Sequence, residues 1–224
     1  MNKLKYISLI FCTSSMLLRA VPYIDLKYGV CFPEKTDGLS YGESLLVSGE
    51  VGYRFNNWRL GLQLDIVQYV NEECENNGKY WATVFNNRDE DYARCRFTRI
   101  TTVLNIYHDY KVKENVSLYI GVGSGITKLN YRFCDTQGNN LRGFANKVFD
   151  LSKNVWCAQI MAGITYDINA HWALSLGYRC MKMENVYYSH EDFVAGQDII
   201  SLKTPYLHSL ELGLRICAFE CLTV

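Results

Sequence analysis

Eight segments of the chain alternate apolar and polar residues. The clearest lies near the end, where Leu210, Leu212, Leu214 and Ile216 fall on one side and Ser209, Glu211, Gly213, Arg215 and Cys217 on the other. Successive side chains of an extended strand point to opposite faces, so a period of two predicts a strand with one greasy face and one polar face. The same reading predicts strands near 23–32, 46–55, 58–67, 98–110, 116–129, 155–168, 172–182 and 206–219. In the third, Trp58, Leu60, Leu62, Leu64 and Ile66 oppose Arg59, Gln63 and Asp65. In the seventh, Trp172, Leu174, Leu176 and Tyr178 oppose Ser175, Gly177 and Arg179.

The gaps between these segments alternate short and long. Asn56-Asn57, residues 111–115 and Asn169-Ala170-His171 are short turns, and Asn tolerates the positive φ that such turns need. The long connections are 33–45, 68–97, 130–154 and 183–205, rich in Asn, Asp, Glu, Lys and Gly. No later stretch is apolar enough for a membrane helix, and a membrane protein without helices must be a closed barrel, because lipid offers no partners for open backbone groups. The expected fold is all-β, an eight-stranded antiparallel up-and-down transmembrane β-barrel over residues 21–224. Short turns at one end and long loops at the other mark bacterial outer-membrane barrels, with the loops facing out of the cell. An even strand count then puts both termini on the periplasmic side. The outward aromatics sort accordingly: Tyr53, Phe55, Trp58, Tyr166 and Trp172 lie by the short turns, and Phe32 and Trp156 by the long loops. They form two expected girdles at the borders of the outer-membrane lipid.

Composition agrees. The chain has 17 Tyr and only 3 Pro among 224 residues, a bias suited to strands and membrane interfaces. The formal net charge of zero and the lack of a basic stripe argue against nucleic acid as a partner. Residues 1–20 read as an export signal: Lys3 and Lys5 start it, 7–18 is mostly apolar, and Ala20 precedes the expected cut. Phe11 before Cys12 argues against lipid attachment. Removing that segment takes three bases and no acid from 23 of each, leaving 20 basic and 23 acidic residues, a net of −3.

Several groups invite a chemical reading. Gly121-x-Gly123-x-Gly125 falls on every second residue of the polar face, which makes space for large neighbours and does not match the GxGxxG helix opening of a phosphate loop. The polar faces carry Glu50, Arg54, Arg59, Asp65, Asn105, Asp109, Arg179, Glu211 and Arg215. These are either a selectivity filter or a network of buried ion pairs that plugs the barrel. Eight strands leave an interior just wide enough for side chains to fill, which favours the plug. Cys74 and Cys95 bracket the second long connection and are candidates for a stapling disulfide. No metal site is expected, since the chain has no CxxC and no His at ligand spacing from Cys217 and Cys221, and no cofactor is expected either. Among catalytic pairs only His208-Ser209 stands out, and adjacent strand residues point to opposite faces. The chain is therefore not expected to be an enzyme.

Tyr107-His108-Asp109-Tyr110, then the 118–126 run with its three glycines, then Gly163-Ile164-Thr165-Tyr166-Asp167-Ile168 with Trp172, Leu176-Gly177-Tyr178-Arg179 and last His208-Ser209-Leu210-Glu211-Leu212-Gly213-Leu214-Arg215 resemble the eight-stranded outer-membrane barrel superfamily. That group includes the membrane domain of outer-membrane protein A, the opacity proteins and the surface antigens of rickettsia-like bacteria. The resemblance covers most of the chain after residue 20. It implies a surface antigen or adhesin whose loops meet host-cell surface molecules; aromatic-bearing stretches such as Tyr80-Trp81 to Phe85 and Phe144 to Phe149 are candidate contacts. It also implies folding by the barrel-assembly machinery, atypical here because Ala218 stands where the family carries a C-terminal outward aromatic. A narrow porin-like channel is the alternative, and a lipid-modifying enzyme or a soluble ligand carrier are more distant ones.

Overall fold

The computed structural model describes residues 20–34, 43–69, 94–134, 150–188, 200–202, 204 and 206–217. The eight long strands are β1 (Val21–Pro33), β2 (Ser44–Phe55), β3 (Trp58–Tyr69), β4 (Arg94–Lys113), β5 (Val116–Cys134), β6 (Asp150–Asp167), β7 (Trp172–Met183) and, last in the chain, β10 (Tyr206–Cys217). Two short strands, β8 (Val186–Tyr188) and β9 (Ile200–Leu202), pair only with each other. Each long strand pairs antiparallel with its neighbours, and β1 pairs with β10 to close the ring. This is the up-and-down barrel that the alternation predicts. Asn56 carries the one non-glycine positive φ among the described residues, 53°, in the two-residue turn joining β2 to β3.

Closure fixes the two faces. Leu62, Leu64, Leu104, Val122, Ile160, Leu176 and Leu212 stand on the outer wall, each about half exposed or more. Asp25, Glu50, Arg59, Asp65, Asn105 and Arg179 point inward and are buried. A soluble protein does the reverse. An outer wall of this kind is stable only where apolar side chains meet hydrocarbon. The paired glycines of β5 serve the interior. A Cβ on Gly123 would strike the Asn105 and Val103 side chains, and one on Gly121 would strike the Tyr107 ring.

The strands are taller than the alternation predicts. β3 continues to Tyr69, β4 starts at Arg94, β5 reaches Cys134 and β6 starts at Asp150. The expected long connections 68–97 and 130–154 are shorter by that much, and the connection 183–205 contains the β8–β9 hairpin. Above a hydrocarbon layer nothing requires one face to be apolar, so the ladder outlasts the sequence pattern that announces it. β10 is described only to Cys217, so Ala218 and Phe219 of the expected last strand lie outside the described residues, as do residues 1–19 of the expected export signal.

Arginine in place of Leu62, at mid-height on the outer wall, is expected to lower the unfolding free energy in phospholipid vesicles by about 2–4 kcal/mol, against about 0–1 kcal/mol for Tyr110→Arg at the rim. Denaturant titration of both variants checks this, and equal costs would count against hydrocarbon at the wall.

Candidate functional site

The inward faces of the strands converge on a packed polar core. Glu50 on β2 is its hub. Its carboxylate accepts hydrogen bonds from the Tyr23 hydroxyl at 2.6 Å, Lys27 Nζ at 3.2 Å, Asn105 Nδ2 at 3.0 Å and the Tyr107 hydroxyl at 2.5 Å. Three strands thus meet on one side chain, and the Lys27 charge is cancelled where it is buried.

Towards the short-turn end, Arg59 Nε and Nη2 each donate to the Asp109 carboxylate at 2.8 Å, a two-pronged pair. The same guanidinium lies over the Tyr107 ring at 4.3 Å and the Tyr119 ring at 5.2 Å. Across the barrel, Arg179 Nη1 donates to Asp65 at 2.6 Å, while Arg179 Nε is 2.6 Å from Glu211. Between these ion pairs Gln63, Asn105 and Gln159 exchange amide hydrogen bonds: Asn105 Nδ2 to Gln63 Oε1 at 2.6 Å and Gln159 Nε2 to Asn105 Oδ1 at 2.8 Å. Arg215 is 3.4 Å from Asp25 at the β1–β10 closure.

The long-loop end of the lumen is different in kind. Leu46, Val67, Leu129, Val155, Met181 and Leu207 point inward there and are all buried. Arg99 passes among them, 1% exposed, and donates to Met181 Sδ at 3.5 Å. An apolar seal thus covers the ion-pair layers on that side. At the other end a polar cleft of about 280 Å³ opens between the turns, lined by Arg54, Asp167, Asn169, His171, Arg215 and Cys217 among others.

Of the residues predicted for the lumen, Glu50, Arg59, Asp65, Asn105, Asp109, Arg179, Glu211 and Arg215 lie in these buried layers. Arg54 does not join them. It stands half-buried at the short-turn rim, where Nε donates to the Asn56 carbonyl at 3.4 Å. It is in the inward phase, but its strand ends there and the guanidinium reaches solvent. Towards the long loops the alternation weakens, because apolar residues such as Leu45 with Leu46 and Ile66 with Val67 occupy both phases. Sequence reasoning also left Tyr23, Lys27, Tyr107 and Tyr119 out of the network. Their phase with Asp25, Asp109 and Gly121 was the available signal.

The girdle residues Tyr53, Trp58, Trp156, Tyr166 and Trp172 are outward and exposed, while Phe32 and Phe55 are half-buried. Trp58 meets the His108 ring edge-on at 4.7 Å. His208 and Ser209 face opposite ways. His208 Nδ1 bonds the Tyr178 hydroxyl at 2.6 Å on the outer wall, and Ser209 Oγ bonds Glu211 inside at 2.8 Å. Cys74 and the side chain of Cys95 lie outside the described residues, so the candidate disulfide does too. Cys31, Cys157, Cys180 and Cys217 form no disulfide.

A profile of the outer membrane protein beta-barrel domain matches residues 14–200. The chain belongs to that family. It is a protein of the bacterial outer membrane. No curated protein matches it. Solved structures share its fold at low identity. Neisserial surface protein A is 13% identical with a TM-score of 0.54, over 88% of this chain and 96% of the other. Outer membrane protein OprG from Pseudomonas aeruginosa is 12% identical at 0.51, over 89% and 98%. A major outer membrane protein from Thermus thermophilus is 11% identical at 0.53, over 88% and 99%.

Glu50→Ala should leave the buried Lys27 ammonium without its counterion and cost about 3–5 kcal/mol of stability, with the double variant Lys27→Met, Glu50→Leu recovering most of it. Unfolding titrations of both variants test the coupling; a double variant no more stable than Glu50→Ala would mean that Lys27 finds another partner.

Proposed function

We propose that this protein is a surface-display barrel: a rigid, non-conducting scaffold that holds long connections outside the cell to make contact with molecules there. The observation that supports it is the filled lumen. Arg59, Glu50, Gln63, Asp65, Asn105 and Arg179 are almost wholly buried along its length, and the Leu46 to Leu207 layer covers one end. A conducting pore needs a continuous wet path, whereas ion pairs this tightly engaged would have to part to open one. Catalysis needs a nucleophile, a base and an orienting group within reach, and the inward groups are committed to one another.

The topology supports an orientation with the long connections outside. Both described ends of the barrel, Val21 and Cys217, lie at the short-turn end, as the Tyr23↔Cys217 pair shows. In barrels of this family type the short turns face the periplasm and the longer loops face outward. Connections on a rigid scaffold are where recognition usually resides. The four long ones are then the contact surface, with the host-cell exterior as the environment they meet.

Two measurements test this reading. In a planar bilayer the purified barrel should show no steady single-channel conductance; a stable current altered by neutralising Glu211 would favour a pore. On cells, shortening one long connection at a time should lower adherence to host cells by about tenfold for at least one of the four, as loss of a contact centre does. Unchanged adherence for all four would defeat the display role.

A further inference from the structure

Most inward charges of the barrel are locked to an opposite charge on another strand. One row at the short-turn end breaks this rule. Asp167 on β6 pairs with Ala173 on β7, and Ala173 pairs in turn with Arg215 on β10, all three in the inward phase. Neighbouring strands lie about 4.8 Å apart, so β6 and β10 stand about 10 Å apart here, with only the Ala173 methyl between. No ion pair joins Asp167 to Arg215. Arg215 turns to Asp25 through Nη2 at 3.4 Å, and its buried Nε has no hydrogen-bond partner among the described residues. Arg54, across the mouth on β2, likewise meets no acid among the described residues.

The polar cleft of about 280 Å³ is lined by Asp167, Arg215 and Arg54 together. Short bonds hold its walls. Asn169 Oδ1 accepts from the His171 and Trp172 N–H groups at 2.8 Å and 2.9 Å. The Asp167 N–H donates to the Asn115 carbonyl at 2.8 Å, and the Cys217 N–H donates to the His171 carbonyl at 2.8 Å. The β4–β5 turn, the β6–β7 turn and the end of β10 are thus tied into one frame. Its volume lies just below the range that takes drug-sized ligands, which suits a smaller molecule. Arg215 Nε lacks the acceptor that a buried donor needs, and a ligand oxygen would supply it. The frame therefore offers guanidinium groups on two sides and a carboxylate on a third.

We propose that the short-turn mouth of the barrel binds a small zwitterion of the amino-acid type, its carboxylate held by Arg215 and Arg54 and its ammonium by Asp167. Guanidinium groups match a carboxylate with paired, charge-assisted hydrogen bonds, and a carboxylate does the same for an ammonium. A plain anion would leave the Asp167 charge facing more negative charge, and a plain cation would face two arginines. A lipid headgroup does not fit, because the charged lining is in the inward phase while lipid meets the outward one. The ion-pair layers beyond the cleft close the lumen, so the mouth holds its ligand and passes none through. Binding does not depend on which way the barrel faces; the orientation given above decides only that the ligand comes from the periplasm.

The test uses the full chain in lipid nanodiscs, with glycine as probe and acetate and methylammonium as its two halves. Backbone amide resonances of Asn169, His171, Trp172 and Ala173 report binding. Glycine should move them saturably, with a dissociation constant on the order of 1 mM. Acetate and methylammonium should each bind at least about tenfold more weakly, since each leaves one charged side of the cleft unmatched. Asp167→Asn and Arg54→Gln, both half-buried at the rim, should each weaken glycine about tenfold. Should either variant disturb the turns, the three probes on the unaltered protein decide the matter. Acetate binding as tightly as glycine would overturn the proposal, as would the absence of saturation at about 100 mM glycine. Glycine binding that neither substitution weakens would mark an adventitious additive only and would also overturn it. So would movement of the 218–224 resonances on Arg54→Gln without ligand, which would put the chain's own end in the cleft.

Discussion

Everything in this molecule follows from the rule that hydrocarbon accepts no unpaired backbone group. The β1–β10 ladder exists to satisfy it, and with that ladder in place the eight strands have no free edge at the level of the outer apolar wall. Closure of only eight strands leaves a narrow interior. The outward residues must then be apolar, and the inward ones must fill the space with most of their charges paired. Glu50 meets four donors and Arg179 meets two acids because the low dielectric of the lumen leaves no cheaper arrangement.

The interior is not uniform, and its layering bears on use. Ion pairs and amides fill the middle, and aliphatic and sulfur-bearing side chains close the long-loop end. Such a centre suits a strut better than a conduit. On the display reading proposed above, the contact surface then lies on the parts that extend past the wall: the long connections, the raised segments of β4, β5 and β6, and the small β8–β9 hairpin held by Thr204.

Much of the barrel was legible in the sequence because one physical demand, alternation, is written residue by residue. Leu210 to Ile216 and Trp58 to Ile66 carry it without interruption. What was not legible is of three kinds. Strand ends beyond the lipid, such as those at Arg94 and Asp150, carry no alternation since no hydrocarbon requires one face to be apolar. The members of the polar core were partly readable by phase, which is how Arg59, Asp109, Asp65 and Arg179 were found. Which partners they choose depends on reach across the lumen, and no local pattern encodes that Arg179 spans to Asp65. Tyr107 and Tyr119 were missed because an aromatic in an alternating segment reads as a girdle residue until its phase is set against its neighbours. Arg54 shows the opposite limit: correct phase, but a position one step too near the rim.

The arrangement of opposite charges also bears on how the barrel is put together. Lys27 and Glu50 sit on strands joined by a single connection, and so do Arg59 and Asp109. These neighbouring staves bring their own counterions, so that part of a half-built sheet enters the membrane with its ionic groups already cancelled. Asp65 and Arg179, on β3 and β7, meet only when the sheet curls, and Asp25 and Arg215, 190 residues apart, are united only across the seam. Theirs is the pairing that waits for the final strand, and its formation marks the moment when the growing sheet becomes a ring.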